Sequence, residues 1–340
     1  MPRVVTFGET MLRLNPENYL RWVQAPKFEV SYTGAEANVA VSLANYGVDA
    51  AFVTKVPATE IGQCAINAVR QYGVDTNSIV RGGERLGVYF LEKGASQRAS
   101  KVIYDRGHSA IAQAKRADFD WKAILAGADW FHFTGITAAL GGELPEICMD
   151  ALQAAKDLGV KVSCDLNYRK KLWTQEEAGK VMAKLMPYVH VCIANEEDAA
   201  DVFGIHAKDT DVTGGSLSHE GYIDVARQLT ERFGFEKVAI TLRTSLSASD
   251  NKWAAMLYEG GKAYFSTEYL VHIVDRVGGG DSFGAGLIYT QLENYAPEEA
   301  IEFAVAASCL KHSIEKDFNL ISVAEAKSLA AGNASGRVQR

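Results

Sequence analysis

A chain of 340 residues, 48% hydrophobic and 23% charged, has the composition of a folded globular protein and excludes disordered, collagen-like and coiled-coil classes. The 35 Lys and Arg against 42 Asp and Glu leave a formal charge of −7, which excludes the basic field of a dedicated nucleic-acid binder. No run approaches about 18 consecutive apolar residues and the first residues lack a secretory pattern, so a cytoplasmic protein with no membrane contact is expected.

In chain order, residues 4–7 read as a short buried strand closed by Gly8. Residues 11–33 alternate as a strand does but are broken by Pro16 and Pro26. Residues 35–46 have helical spacing and stop at Gly47; 51–56 read as a strand, and 61–72 as a helix ended by Gly73. Two β-like segments, 86–92 and 101–105, flank a polar loop. Parallel-sheet runs follow at 129–134, 160–165 and 189–194, behind helical segments such as 143–158 and 175–187. The last third yields helix 219–233, strand 237–242, a hairpin near 253–266, strand 269–274, and helices 281–293 and 297–312.

This alternation predicts one domain, a three-layer α/β/α sandwich on a mainly parallel sheet. Segments 11–33 and 86–107 fall outside the rhythm and predict a small β-sheet lid over one end. The five cysteines are odd in number with no C-x-x-C pair, and no histidine stands in an H-E-x-x-H frame. Neither a zinc site nor a disulfide framework is expected, and the cysteines read as reduced core residues.

The richest chemistry lies at 275–286, DRVGGGDSFGAG, between an apolar strand and a helix. Gly278, Gly279 and Gly280 at a strand-to-helix turn free their amides to converge, and the helix dipole adds positive potential, so the turn suits an anion such as phosphate. Two jobs are open to Asp281 at the helix start: N-cap, or general base facing the phosphate site. A Rossmann fingerprint fails because Gly284 comes one residue late, and a Walker loop fails because Asp281 stands where Lys belongs. Gly280-Asp281-Ser282-Phe283-Gly284 is a literal G-x-S-x-G, but only His312 follows, within a helical run, with too little chain for a hydrolase triad.

G-x-G-D opening a C-terminal helix resembles the second signature of the ribokinase-like (PfkB) carbohydrate kinases, and YTGAEANVA at 32–40 resembles the first. Gly8-Glu9 ends the first strand as in that family, and Asn195-Glu196-Glu197-Asp198 stands at its N-x-x-E position. The pieces YTGAEANVA, VIYDRGHSA, HFTGITAAL and SCDLNYRKKLW are similar to the 2-keto-3-deoxygluconate kinases within it. The resemblance runs from Val4 to about residue 330 and includes the two-part lid.

The resemblance implies ATP-dependent phosphorylation of a sugar hydroxyl, with Asp281 as the base and the amides of Gly278, Gly279 and Gly280 as the anion hole. It places Gly34 and Asn38 on sugar hydroxyls, and Tyr89, Tyr104, Arg106 and Arg169 on an acidic sugar, whose carboxylate suits the planar fork of Arg. It puts Thr241, Arg243, Ser247 and Asn195 on the nucleotide, and Asn195 and Asp198 on Mg²⁺ through water. Read from the residues alone, Asn38 is an ordinary helix residue, Asn195 and Asp198 cap a helix, and Arg106 and Arg169 form surface ion pairs. Fructose- or ribose-type kinases are the sibling alternatives. Self-association through the lid is expected, and a small-molecule sugar acid and ATP are the expected partners. The chain departs from the signature at Arg276, where Thr is usual, which leaves a monovalent-cation site on this loop unsupported. The nucleotide loop carries Arg243, Ser245 and Ser247 where glycines are usual, and Asp198 replaces Glu.

Overall fold

Short runs rich in Val, Phe, Ile and Cys form strands whose neighbouring residues point to opposite faces, and both faces are covered. Val4, Ala50, Phe52 and Ile193 face one buried cluster, while Val5, Ala51, Val53 and Cys192 face the other. The computed structural model describes residues 1–195, 197–207 and 218–334. Its main sheet runs in the order Lys262–Phe265, Asp250–Glu259, Lys237–Ser245, Val191–Ala194, Lys161–Asp165, Trp130–Thr134, Arg3–Phe7 and Asp49–Val53, with Tyr269–His272 also pairing with Asp250–Glu259. The six strands from Lys237–Ser245 to Asp49–Val53 are parallel, and the hairpin edge beyond them is antiparallel.

Helices Leu144–Leu158, Gln175–Leu185 and His219–Phe233 cover one face; Ala35–Asn45, Gly279–Leu292 and Pro297–Lys311 cover the other. Gly279–Leu292 is buried along most of its length, because a helix lies on each side of it and the sheet below. The expected α/β/α sandwich is therefore present. Among the elements not foreseen are the helix Val323–Ala330, opened by a Ser322–Glu325 capping box, the short helices Trp121–Ile124 and Gly135–Ala139, and the strand Val80–Arg81. The strand expected over 51–56 is instead two, Asp49–Val53 and Lys55–Val56.

The smaller sheet has the order Glu29–Thr33, Met11–Asn15, Gly87–Glu92, Lys101–Asp105, so both irregular stretches contribute to it. It is fastened to the sandwich by charge. Arg13 is wholly buried, donating to Asp317 at 2.5 Å and Asp275 at 2.6 Å, and Tyr89 donates to Asp317 at 2.7 Å. Losing one partner of such a buried pair costs about 3–5 kcal/mol, so the network ties lid strands to the start of the glycine loop.

All five cysteines are free; Cys148, Cys164 and Cys192 are buried, whereas Cys64 is exposed on a helix rather than in the core. No helix among the described residues is long and apolar enough to cross a membrane.

Candidate active site

The carboxyl ends of the parallel strands open into a cavity of about 340 Å³ that the lid sheet closes from above. Open parallel sheets bind ligands at this edge, because the loops there diverge and leave helix N-termini facing a crevice. Asp281, Gly278, Gly279, Gly280, Gly34, Asn38, Tyr89, Tyr104, Arg106, Arg169, Thr241, Arg243, Asn195 and Asp198 all line it. Ser247 does not. Its hydroxyl accepts the Ser249 and Asp250 amides, both at 3.0 Å, and donates to Asp250, which closes the turn between two strands.

The glycine turn is held from behind. Gly278 has φ +83°, a left-handed conformation that favours glycine, and a Cβ there would lie 2.1 Å from the Asp317 carbonyl oxygen. The Ser282 hydroxyl donates to the Gly278 carbonyl, and Ser308 to that of Gly279, both at 2.7 Å. Ser282 is thus a buried support for the turn, and the arrangement offers no exposed serine nucleophile. The His312 ring packs under Gly279; burial lowers its pKa to about 4, and its neutral Nδ1–H donates to the Ser308 carbonyl.

Asp281 sits in the first turn of Gly279–Leu292. Burial raises its pKa to about 7; Glu36 and Asp317 add repulsion, while the Asn38 hydrogen bond and Arg169 pull it down. Asn38 Nδ2 donates to it at 2.6 Å, and Thr33 fixes that amide by donating to Asn38 Oδ1 at 2.8 Å. The close approach of Gly34 to the Glu9 carbonyl, 1.8 Å from where a Cβ would stand, lets the helix of Asn38 begin at this edge. A carboxylate that titrates near neutrality, beside a turn of amides, can accept a proton from a hydroxyl whose oxygen attacks an anion held there.

Opposite it, the Arg106 guanidinium lies 4.4 Å over the Tyr104 ring, and Tyr104 stands 5.7 Å from the Tyr89 ring. Glu9 approaches Arg106 Nε at 3.4 Å, yet Nε and Nη1 of Arg106 are buried without a hydrogen-bond partner. Arg169 is exposed at the rim and donates to the Tyr168 carbonyl at 2.8 Å. Asn195 and Asp198 exchange bonds as a helix cap: Asn195 Oδ1 accepts the Glu197 and Asp198 amides, and Asp198 accepts those of Asn195 and Tyr168, both at 3.0 Å. Glu196 lies outside the described residues.

This geometry has a counterpart in known proteins: residues 1–314 match the pfkB family of carbohydrate kinases. The chain belongs to that family. A Haloferax volcanii protein named 2-dehydro-3-deoxygalactonokinase is 31% identical, covering 98% of each chain. A Shouchella clausii protein named 5-dehydro-2-deoxygluconokinase is 25% identical over 91% of this chain and 90% of its own. A solved Thermotoga maritima structure named 2-dehydro-3-deoxygluconokinase (EC 2.7.1.45) is 54% identical, with a TM-score of 0.94 over 97% of this chain and 98% of that one.

In this pfkB kinase several cavity residues were not assigned to the site from the sequence: Asp165, Asn167 and Asp317 were not singled out, Arg276 was noted only as a departure from the signature, and His312 only as a rejected triad partner. Asp165 ends strand Lys161–Asp165, so the rule about strand ends could have found it. Burial, and then repulsion from Asp198 and Asp281, hold its pKa well above the ordinary carboxylate range. Arg276 donates to the Ala248 carbonyl at 3.2 Å, and burial together with Arg243 lowers its pKa. Two guanidiniums crowding one edge of a cleft favour an anion between them.

Proposed function

We propose that this pfkB kinase transfers the γ-phosphoryl group of ATP to the terminal hydroxyl of 2-keto-3-deoxygluconate, giving the 6-phosphate and ADP. The carrying observation is the shared cavity, with Asp281 and the three-glycine turn on one side and the unsatisfied Arg106 fork on the other. Asp281 takes the hydroxyl proton as that oxygen bonds to the γ-phosphorus and the bond to the β-phosphate oxygen breaks. The amides of Gly278, Gly279 and Gly280 receive the charge on the phosphoryl oxygens. Arg243, Arg276 and Thr241 hold the nucleotide side, and Arg106 with Tyr104 and Tyr89 receives the sugar acid.

Mg²⁺ fits this site as an outer-sphere guest. Both carboxylate oxygens of Asp198 already accept main-chain amides, so Asp198 and Asn195 would hold the ion through its waters, with Asp165 the remaining carboxylate on that side. Bound there, the ion would supply positive charge to offset that of the phosphates and the repulsion that Asp165 feels from Asp198 and Asp281.

The names of the relatives mark the fork that matters, since all three denote kinases of deoxy keto sugar acids. The test is ADP release against 2-keto-3-deoxygluconate, its galactonate epimer, 5-dehydro-2-deoxygluconate, fructose, ribose and gluconate. Efficiency about a hundredfold higher on 2-keto-3-deoxy acids is expected from a desolvated guanidinium–carboxylate pair; preference for fructose or ribose overturns the substrate. The outer lid exposes Val30 and Ile103, so self-association through that face belongs to the same reading. A monomer in light scattering overturns it.

A further inference from the structure

Lys311 is a buried charge that this reaction scheme leaves unused. It ends helix Pro297–Lys311 and is wholly buried. Its ammonium donates to three main-chain carbonyls, those of Asp275 at 3.2 Å, Ile314 at 3.2 Å and Lys316 at 2.6 Å. An ammonium has three protons to give, and three carbonyls take them. The nearby carboxylates of Asp275 and Asp317 are engaged by Arg13, so the ammonium's direct ligands are neutral oxygens.

Those carbonyls come from the two segments that shape the anion hole. Asp275 opens the loop that runs to Gly280. Ile314 and Lys316 belong to the turn leading to Asp317, whose carbonyl wedges against Gly278. The same segments are sewn again where the Val274 amide donates to the His312 carbonyl at 2.8 Å. A cage of neutral carbonyl oxygens around one positive charge is the chemistry that holds a bare monovalent cation. Here the cation is covalently tethered to the helix, so its occupancy cannot follow the salt around the protein.

We propose that Lys311 is a resident cation of the anion hole. Its ammonium fills the carbonyl cage under the glycine loop, positions the amides of Gly278, Gly279 and Gly280, and makes catalysis independent of added monovalent cations. Lys311 is a positioning residue, and its role rests on the kinase reading above.

The experiment compares wild type and Lys311→Met in the chlorides of sodium, potassium, ammonium and tetramethylammonium at constant ionic strength, reading kcat, KM and Tm. Wild-type kcat is expected to be unchanged across the four salts. Lys311→Met is expected to lose about 10²-fold in kcat with little change in KM, the size of losing one oxyanion-hole donor. Potassium and ammonium should recover part of that loss and raise the Tm of the variant, because they refill the cage; tetramethylammonium is too large. Should Lys311→Met fail to fold, Lys311→Gln, which keeps a polar head of similar reach, takes its place in the same salts. Wild-type activation by potassium overturns the proposal, as does a folded variant with full kcat in tetramethylammonium, or one whose Tm and kcat respond alike to all four salts. Absence of turnover on every sugar would strike the kinase reading instead, while the Tm response would still report on the cage.

Discussion

The glycine loop and the lid line the same cavity, but their polar groups are provided for differently. Behind residues 278–281, Ser282 and Ser308 hold two loop carbonyls, Lys311 holds a third, and Asn38 orients Asp281. On the lid side, Arg106 Nε and Nη1 make no hydrogen bond, Nε having only the 3.4 Å ion pair with Glu9, and Tyr104 is 39% exposed. A buried polar group left unpaired costs about 1–3 kcal/mol, a cost removed when a ligand supplies the missing acceptor. The difference teaches where each kind of work is done. On the proposed reading, the groups that would act on the transferring phosphoryl are fixed in advance, as electrostatic catalysis requires, whereas those that would read the sugar acid would be completed by it.

The sharpest way to break this comparison is at Asp281. Asp281→Asn keeps the shape and removes the base, so kcat should fall by about 10²–10⁴-fold while KM for ATP holds. The folded pKa lies above the ordinary value, so the ionised carboxylate costs stability as pH rises from about 4 through about 7. The variant should therefore melt a few degrees higher at neutral pH, about 2–4 °C by the usual scaling. On the lid side, Arg106→Ala should raise KM for the keto acid by about 30–1000-fold and leave any slow turnover of neutral sugars unmoved, with Lys a poor substitute for the planar fork. Equal losses on acidic and neutral sugars would show that Arg106 supports the lid rather than reading a carboxylate.

Gly278→Ala tests the claim that the loop is fixed in advance. The left-handed φ and the Asp317 carbonyl both oppose a side chain, and strain of about 1–3 kcal/mol translates into roughly tenfold to a hundredfold in kcat. An unchanged kcat would mean that the loop is shaped by ligand after all.

These two regions were also unequally legible in the sequence. Strand runs, glycine-terminated helices and the G-x-G-D turn were readable, because local patterns of period two, period 3.6 and backbone freedom encode them. Arg13 was not. In an alternating strand a charged residue reads as the solvent side, and only folding brings its partners Asp275 and Asp317 to it across more than 260 positions. Lys311 was hidden for the same reason, since its ligands are backbone oxygens that any residue type could carry. The resemblance put Ser247 on the nucleotide because it follows Thr241–Arg243 in the segment that matches the family's nucleotide loop, yet in the structure its hydroxyl closes the turn, and one-dimensional matching cannot distinguish a serine facing the cleft from one facing its own loop.

The pH profile sharpens the comparison further. A base must be deprotonated to act, so kcat/KM should fall as pH drops below about 7, the value to which burial lifts Asp281. Asn38 opposes that lift by donating to the carboxylate, so Asn38→Ala should move the acid limb to higher pH as well as lower the rate. A limb that stays in place would mean the titrating group belongs elsewhere in the cleft.

The smallest effect is expected at Ser247→Ala. Its hydroxyl is committed to the amides of Ser249 and Asp250 and does not line the cavity, so KM for ATP should change by less than about threefold, within the range of about 0.5–1.5 kcal/mol for one ordinary hydrogen bond. Any loss should appear in Tm, because the turn between two long antiparallel strands loses its cap. A large rise in KM for ATP with Tm unchanged would place Ser247 on the nucleotide and mean that this turn reshapes when ATP binds. The outer end of the cleft would then resemble the lid, completed by its ligand, and the fixed part of the site would shrink to the glycine loop and the residues that brace it.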